Sequence, residues 1–448
     1  MTSRTATVAI IDGGGRGSAL VQKYSQSPHV KKIIAIPGND LMQINSRVPV
    51  VIFQKLKTTS ILEIVRICKK YKAGLVDVAQ DNAVEAGLAD RLIELGFNVM
   101  GPTRAAGQIE WDKAWARDFM KKYEIPIPKY KVCISQQEGI GFIKKNPNNR
   151  WFVKASGLAE GKGAIPAENA KQAIDAINQM QRFGLSGKTF VIEEWLDGEE
   201  FSMFAISDGK SFQVIGSAQD HKRLYDGDLG PNTGGIGCST PALIVNRTIF
   251  KQAKEIIKKA IRGLAKESRP YKGILYLGAI VVRNKVYVIE FNARWGSPEA
   301  EVLVPGIKND FFRLGMSIAK GDLGNLKIKT DGLARIAVTG SLRPGVTSKP
   351  RELFGINEVL KLPGVTIFGT RVTKKQNRYL VSSGRLFHVV AESKTVIDAR
   401  QKAYEAMSLL YIEGDNLHYR TDIGWRDVER MRHPEQSRRV ERLKQNGV

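Results

Sequence analysis

Short apolar runs and helix-spaced apolar positions take turns along the first hundred residues. TVAII, KKIIAI and GLVDVA predict strands, and between them the pattern predicts helices from Ser18 to about Gln26, from Ser60 to Lys72, and one ending at Leu95. Strands alternating with helices of this length imply a parallel sheet with crossover helices, a Rossmann-like N-terminal domain over residues 1–104. From Gly101 the texture changes: GPTRAAGQIEWDKAWARDFMKKYEIPIPKY predicts a turn, one helix carrying Lys113, and an exit bounded by Pro126 and Pro128. A small α/β unit completes a second region, 105–188. FVIEEWL, FSMFAIS, GAIVV and VYVIEF predict the strands of a third, 189–327, and renewed alternation with a helix at Lys394 to Leu410 marks a C-terminal α/β domain, 328–426. Residues 427–448 are charged, nearly free of aromatics and without a sustained apolar face, and predict a disordered tail.

At 448 residues the chain exceeds what one hydrophobic core usually supports, which fits this division. No apolar run approaches the roughly 18 residues of a membrane span. The opening MTSRTATVAII passes from a short polar start into a strand with no signal-like segment, so a cytoplasmic protein without a membrane partner is expected. Cys68, Cys133 and Cys238 are far apart and the five histidines are scattered, which argues against a disulfide framework or a zinc site. The net charge of +24 raises nucleic-acid binding, but the positive residues are spread along the chain and no nucleic-acid module is visible. A solvated basic surface that steers small phosphorylated substrates is the reading adopted, with no nucleic-acid partner.

Three segments carry chemistry. In VKASGLAEGKGAI (Val153 to Ile165) a β-type run delivers Lys154 at its end, and Gly157, Gly161 and Gly163 free the backbone to wrap phosphate oxygens around Lys162. A P-loop needs four residues before its Gly-Lys pair and Ser or Thr after it; here three separate Gly157 from Gly161, and Gly163 follows Lys162. Alone, the loop is equally consistent with a plain hairpin. Downstream, however, VIEEWLDGEE supplies a hinge with acids, and VIEFNARWGSPE puts Glu290 and Asn292 on one strand face, two oxygen ligands for a hard cation. In that order the motifs describe a nucleotide and its metal ion. DGGGRGS (Asp12 to Ser18) sits at the first strand-to-helix turn but departs from a dinucleotide fingerprint at Ser18, and no acid ends the second strand; a phosphate at this helix N-terminus stays open.

With Lys113, Lys154, the glycine loop, the hinge and VIEFN in place, the chain resembles an ATP-grasp ligase. Within that superfamily it is similar to the phosphoribosylamine–glycine ligase family from about Val8 to Trp425, most specifically at SAQDHKR, GPNTGGIG, VIEFNARWG and DIGWR. The resemblance implies an ATP-grasp fold and ligation of glycine to 5-phosphoribosylamine with ATP becoming ADP and phosphate, by a monomer acting on small molecules. The glycine carboxylate would attack the γ-phosphate, and the amine would capture the acyl phosphate. Lys113 and Lys154 would contact the α and β phosphates under a lid from Gly157 to Gly163. Glu193 would accept from the adenine amino group, the backbone of Glu194 to Leu196 would pair the ring edge, and Glu199 or Glu200 would bind the ribose. Glu290 and Asn292 would hold Mg or Mn, and Arg294 would steady the acyl phosphate or the glycine carboxylate. Asp220, Lys222, Arg223, Asn232, Thr233 and Gly234 would form the phosphoribosylamine side, with Gly14, Gly15 and Asn39 closing over it.

The departures from the family pattern lie mostly in the substrate half. Gly17 and Ser18 stand where glutamate and histidine follow the arginine, Ala79-Gln80-Asp81 replaces a glycine-proline-glutamate, and Ser297 and Ser156 each replace an aspartate. An ordinary but divergent ligase and a ligase for another carboxylate or amine both fit this drift. A non-catalytic nucleotide- or RNA-binding protein is the reading from a different class, raised by the charge.

Overall fold

The structure, a computed structural model, describes residues 5–159, 161–324 and 326–432. The N-terminal strands β1 (Ala6–Ile11), β2 (Val30–Ile36), β3 (Val50–Ile52), β4 (Ala73–Val78) and β5 (Val99–Met100) form one parallel sheet in the order β3-β2-β1-β4-β5. Apolar residues line both faces of β1 because helices or the rest of the protein cover both sides. Helix α1 (Gly15–Ser25) starts three residues before the expected Ser18, since the Asp12 carboxylate accepts the Gly14 and Gly17 N–H groups. Helix α2 (Ile61–Lys70) matches expectation, and the helix ending near Leu95 is two short ones, α3 (Asp81–Glu85) and α4 (Leu88–Glu94).

The single helix expected around Lys113 is also two, α5 (Arg104–Trp111) and α6 (Lys113–Lys122), with Asp112 between them capping Trp115 N. Next comes a four-stranded antiparallel sheet of β6 (Tyr130–Cys133), β7 (Trp151–Ala155), β8 (Ala164–Ala167) and β9 (Phe190–Glu194), ordered β6-β9-β7-β8. Helices α7 (Gln136–Lys145), α8 (Ala170–Gln179) and α9 (Leu185–Lys188) complete this unit. The boundary expected at 188/189 therefore falls in the wrong place, because β9 is bonded between β6 and β7.

Strands β10 (Glu199–Asp208), β11 (Phe212–Asp220), β14 (Gly237–Thr240), β15 (Lys272–Val282) and β16 (Lys285–Asn292) make a larger sheet, with the hairpin β12 (Arg223–Tyr225) and β13 (Leu229–Asn232) projecting between β11 and β14. Helix α10 (Arg247–Lys266) buries Ile249, Ile256, Ile257, Ile261 and Leu264 against it while Lys251 and Lys254 face solvent, a solvated share of the positive charge. Helices α11 (Glu299–Leu303) and α12 (Phe311–Lys320) cover the other side, where Phe204, Trp295, Phe311 and Leu314 share a core with Val8, Ile10 and Tyr24 of the N-terminal domain.

The split expected at 327/328 does not interrupt the sheet: β17 (Ala334–Leu342) pairs with β14 over Gly237 to Thr240. The C-terminal domain adds β18 (Arg351–Phe354), β19 (Val365–Gly369), β20 (Val372–Lys375), β21 (Arg378–Val381) and β22 (Arg385–Ser393), with α13 (Ile356–Val359) and α14 (Val396–Ser408), the second close to the helix expected there. The tail expected from 427 is helical through Arg432 as α15 (Trp425–Arg432), because Asp427 accepts Ser239 Oγ (2.6 Å) and Leu243 N (2.9 Å) and Val428 is buried; one turn of apolar contact is too short to read as a face. The rest of that expectation, 433–448, lies outside the described residues.

Arg420, 1% exposed, locks this C-terminal arm to the β12–β13 hairpin. It donates to both oxygens of Asp422 (2.7 Å each), to Asp228 Oδ1 (2.9 Å) and to Arg223 O (3.0 Å). Arg420→Ala leaves Asp228 with Arg426 alone and Asp422 without a cation among the described residues, and is expected to cost about 2 kcal/mol, read as a lower urea midpoint at unchanged slope.

Candidate active site

A cleft of about 1970 Å³ opens between the four-stranded sheet, the large sheet and α15. The alternation along β7 turns Lys154 inward, where its Nζ donates to Glu193 Oε2 (2.7 Å), and Arg117 of α6 takes both oxygens of the same carboxylate at 2.7 Å. Burial would raise the Glu193 pKa, but Arg117 and then Lys154 override it and leave it at about 2. Glu193 lines the cleft with its carboxylate shared between two cations and is 2% exposed, where an adenine amino group is the expected partner. The backbone beyond it suits the adenine edge: Leu196 N–H has no partner among the described residues, and Trp195 stacks on Phe152 at 4.7 Å to shape the wall.

Lys113, the first residue of α6, lines the cleft with no ion pair among the described residues. Ser156 holds it there: Lys113 N donates to Ser156 O and Ala114 N to Ser156 Oγ, each 2.9 Å, and Ser156 Oγ donates to Asp112. The serine that departs from the family pattern thus fastens the lysine's helix. In the loop, Gly161 (φ +75°) and Gly163 line the cleft; Lys162 is exposed and Gly157 backs onto Ser186, so neither reaches it.

On β16, Glu290 and Asn292 project side by side, Asn292 Nδ2 donating to Glu290 Oε1 at 3.4 Å. Burial would raise the Glu290 pKa; Lys222, Lys113, Lys154 and Arg294 together reverse this and hold it below the usual carboxylate range. An ionised carboxylate beside an amide oxygen suits a hard divalent cation that keeps its other positions for phosphate and water. Arg294 forms an ion pair with Glu110 Oε1 (2.9 Å) and lies 3.6 Å from Asp81, one of the departing residues, while its buried Nε has no partner among the described residues. Glu199 accepts Arg430 of α15 and Gln219, and Glu200 pairs with Lys222.

The residues expected to meet phosphoribosylamine divide between two clefts. Asp220, Lys222, Arg223, Asn232, Thr233 and Gly234 line the large one, and Gly14, Gly15 and Asn39 line a second of about 750 Å³; Ser297 borders both. Asn39 is corrected in part: its Nδ2 donates to Gly13 O, Ser18 Oγ and Gly369 O while Oδ1 accepts Leu41 N, so its amide holds the turn and is not free for a substrate. Asp220 Oδ1 is buried without a partner, and burial followed by Glu299 pushes its pKa well up. Sequence reading missed Arg117, Glu110 and Arg430, lone charges on helices, and Arg385, whose Nη1 donates to Gly234 O (2.6 Å) from 151 residues away.

Lysines beside a glycine loop, an adenine-wide hinge and a Glu-x-Asn strand in this sheet arrangement define an ATP-grasp enzyme. The profiles described as phosphoribosylglycinamide synthetase N domain, ATP-grasp (A) domain and C domain match residues 6–110, 111–300 and 343–426. The chain therefore belongs to the phosphoribosylamine–glycine ligase family. It is 34% identical to the phosphoribosylamine–glycine ligase of Streptococcus pneumoniae over 94% of this chain and 99% of the relative. It is also 34% identical to the human trifunctional purine biosynthetic protein adenosine-3, over 96% of this chain and 43% of that longer protein. The crystal structure of the Thermotoga maritima phosphoribosylamine–glycine ligase superposes with a TM-score of 0.77 at 27% identity, over 93% of this chain and all of that one. A biotin carboxylase from Campylobacter jejuni shares the fold at 16% identity and a TM-score of 0.72 over 92% of each chain.

The depressed Glu193 pKa gives a pH test. Its folded value of about 2 lies below the unfolded value of ~4.3, so the stabilisation is complete above the unfolded pKa and is lost as pH falls through the folded one. Glu193→Gln is expected to be about 3 kcal/mol less stable than wild type from pH 6 to 8, with the gap narrowing between pH 5 and 2 in urea titrations.

Proposed function

We propose that this chain joins glycine to 5-phosphoribosylamine, with ATP giving ADP and phosphate. The observation that carries this is the Glu290–Asn292 pair, with Glu290 kept ionised by Lys222, Lys113, Lys154 and Arg294, in a chain whose three segments match the three domains of this ligase family. A glycine carboxylate oxygen forms a bond to the γ-phosphorus as the bond to the ADP oxygen breaks. The phosphoribosylamine nitrogen then bonds to the acyl carbon, phosphate leaves, and the nitrogen gives up a proton. Catalysis is positioning and charge stabilisation, with no protein nucleophile.

Lys113 and Lys154 hold the phosphates, the backbone at Leu196 receives the adenine edge, and Glu199 or Glu200 meets the ribose. The N–H at Arg294 Nε is free to bind the glycine carboxylate or the acyl phosphate. Asp220, with one oxygen unpartnered among the described residues, is the carboxyl nearest the amine side in this reading. Glu290 and Asn292 would hold Mg or Mn, which when bound neutralises the charge developing on the transferred phosphoryl group.

ADP release should require glycine and freshly generated phosphoribosylamine together, with a product mass matching glycinamide ribonucleotide; ATP turnover with some other pair in place of these would defeat the reading. Glu290→Ala is expected to lower kcat by about 10²–10³-fold while leaving the urea midpoint within about 1 kcal/mol, measured by coupled ADP assay.

A further inference from the structure

The second cleft sits where the α1 N-terminus would normally offer amides to a phosphate, but that position is closed. Asp12, fully buried, accepts Gly14 N at 2.5 Å and Gly17 N at 3.1 Å through Oδ1, and Arg16 Nε at 2.8 Å through Oδ2. Gly17, in place of the family's glutamate, makes room for it, since a Cβ there would stand 2.8 Å from Asp12 Oδ1. A phosphate at these amides would have to displace a buried, ion-paired carboxylate of its own sign.

The rest of this 750 Å³ cleft has the opposite character. One wall is the segment joining β3 to α2, where Lys55 and Lys57 are exposed and carry no hydrogen bond or ion pair among the described residues. Thr58 anchors that segment, its Oγ1 donating to Asn82 Oδ1 at 2.8 Å. The facing wall carries Arg371, whose guanidinium donates to Ser383 Oγ (3.2 Å) and to no carboxylate, and Thr370, whose buried Oγ1 has no partner. Among the described residues Asp12 is the one acid lining the cleft, already engaged by the turn and Arg16, and Arg385 at its base gives Nη1 to three backbone carbonyls and pairs with no carboxylate. Lys55, Lys57, Arg371 and Arg385, none of them ion-paired among the described residues, suit a dianionic monophosphate, which binds cations through several charge-assisted hydrogen bonds at once.

We propose that Lys55 and Lys57, facing Arg371, form the subsite that grips the 5′-phosphate of the phosphoribosyl substrate, taking over from an α1 N-terminus that Asp12 has closed. This rests on the phosphoribosylamine reading above.

The test is the double variant Lys55→Ala/Lys57→Ala beside the charge-conserving Lys55→Arg/Lys57→Arg. The alanine pair is expected to raise KM for phosphoribosylamine at least tenfold, with kcat within about threefold and KM for ATP and glycine within about twofold; the arginine pair should restore most of the loss. An unchanged KM for phosphoribosylamine, or an equal rise in all three KM values, overturns the proposal. Calorimetric titration with ribose 5-phosphate separates this outcome from failure of the parent reading, because it needs no turnover. Binding by wild type that weakens at least tenfold in the alanine pair supports the subsite even if no glycinamide ribonucleotide is made, and binding that is equal in both, or absent from wild type, overturns it.

Discussion

One guanidinium joins the parts that have to cooperate. Arg117 takes both oxygens of Glu193 from the four-stranded sheet while donating to Val288 O (3.3 Å) and Ile289 O (2.6 Å) of β16, the strand that presents Glu290 and Asn292. Lys154, the hinge and the strand carrying Glu290 and Asn292 are therefore referenced to a single buried group. Removing water from an arginine and a glutamate is costly, and the return comes from geometry: two parallel bonds to one carboxylate and two to strand carbonyls leave little rotational freedom. Lys154 shares the same carboxylate, so a phosphate that draws Lys154 into the cleft leaves Arg117 alone to hold Glu193.

How much of this was legible in the chain follows from what each feature depends on. Period and order are local, so the parallel N-terminal sheet, the crossover helices and the Glu290–Asn292 face could be read directly. Pairing between distant strands is not local. FVIEEWL looks like the first strand of a new domain, and only the ladder from Tyr130 to Cys133 and from Trp151 to Ala155 places it inside the previous one. The same limit hid the continuity of the large sheet across β14 and β17. For side chains, a motif fixes which residue stands at a position but not which neighbour claims it. Glu193 and Asn39 sit where expected, yet their polar atoms are consumed by Arg117 and Lys154 in one case and by Ser18, Gly13 and Gly369 in the other.

The substitutions that departed from the family pattern become intelligible as pairs. Asp12 and Gly17 are one such pair, since the carboxylate occupies the space a side chain at 17 would need. Gln80 accepts Arg16 Nη2 at 2.9 Å, and Asp81 lies beside Arg294, so the altered Ala79-Gln80-Asp81 still serves the two arginines that flank the site. Ser156 secures α6. In each case the replacement keeps a neighbouring cation or helix in position, which is what a site working by placement requires.

Ser297 is the most informative of these. Its hydroxyl donates to Glu301 Oε1 at 2.6 Å, and Glu301 is fully buried with its other oxygen unpartnered; burial raises its pKa to about 7. An aspartate at 297 would bring a second carboxylate to that contact, and two carboxylates so close and so dry cannot both ionise. Serine supplies a donor where the family carries an acid, so Ser297 and Glu301 form a matched set. The carboxylate that meets Ser297 belongs to α11, four residues further on. What stands at the border between the two clefts is a cation: Arg385 Nη1 donates to the carbonyls of Gly234, Gly235 and Ser297, and its guanidinium has no ion pair among the described residues. An amine entering from the small cleft toward an acyl group in the large one would thus pass a guanidinium, which favours the neutral amine over an ammonium, with no carboxylate at 297 to hold it in the protonated, unreactive form.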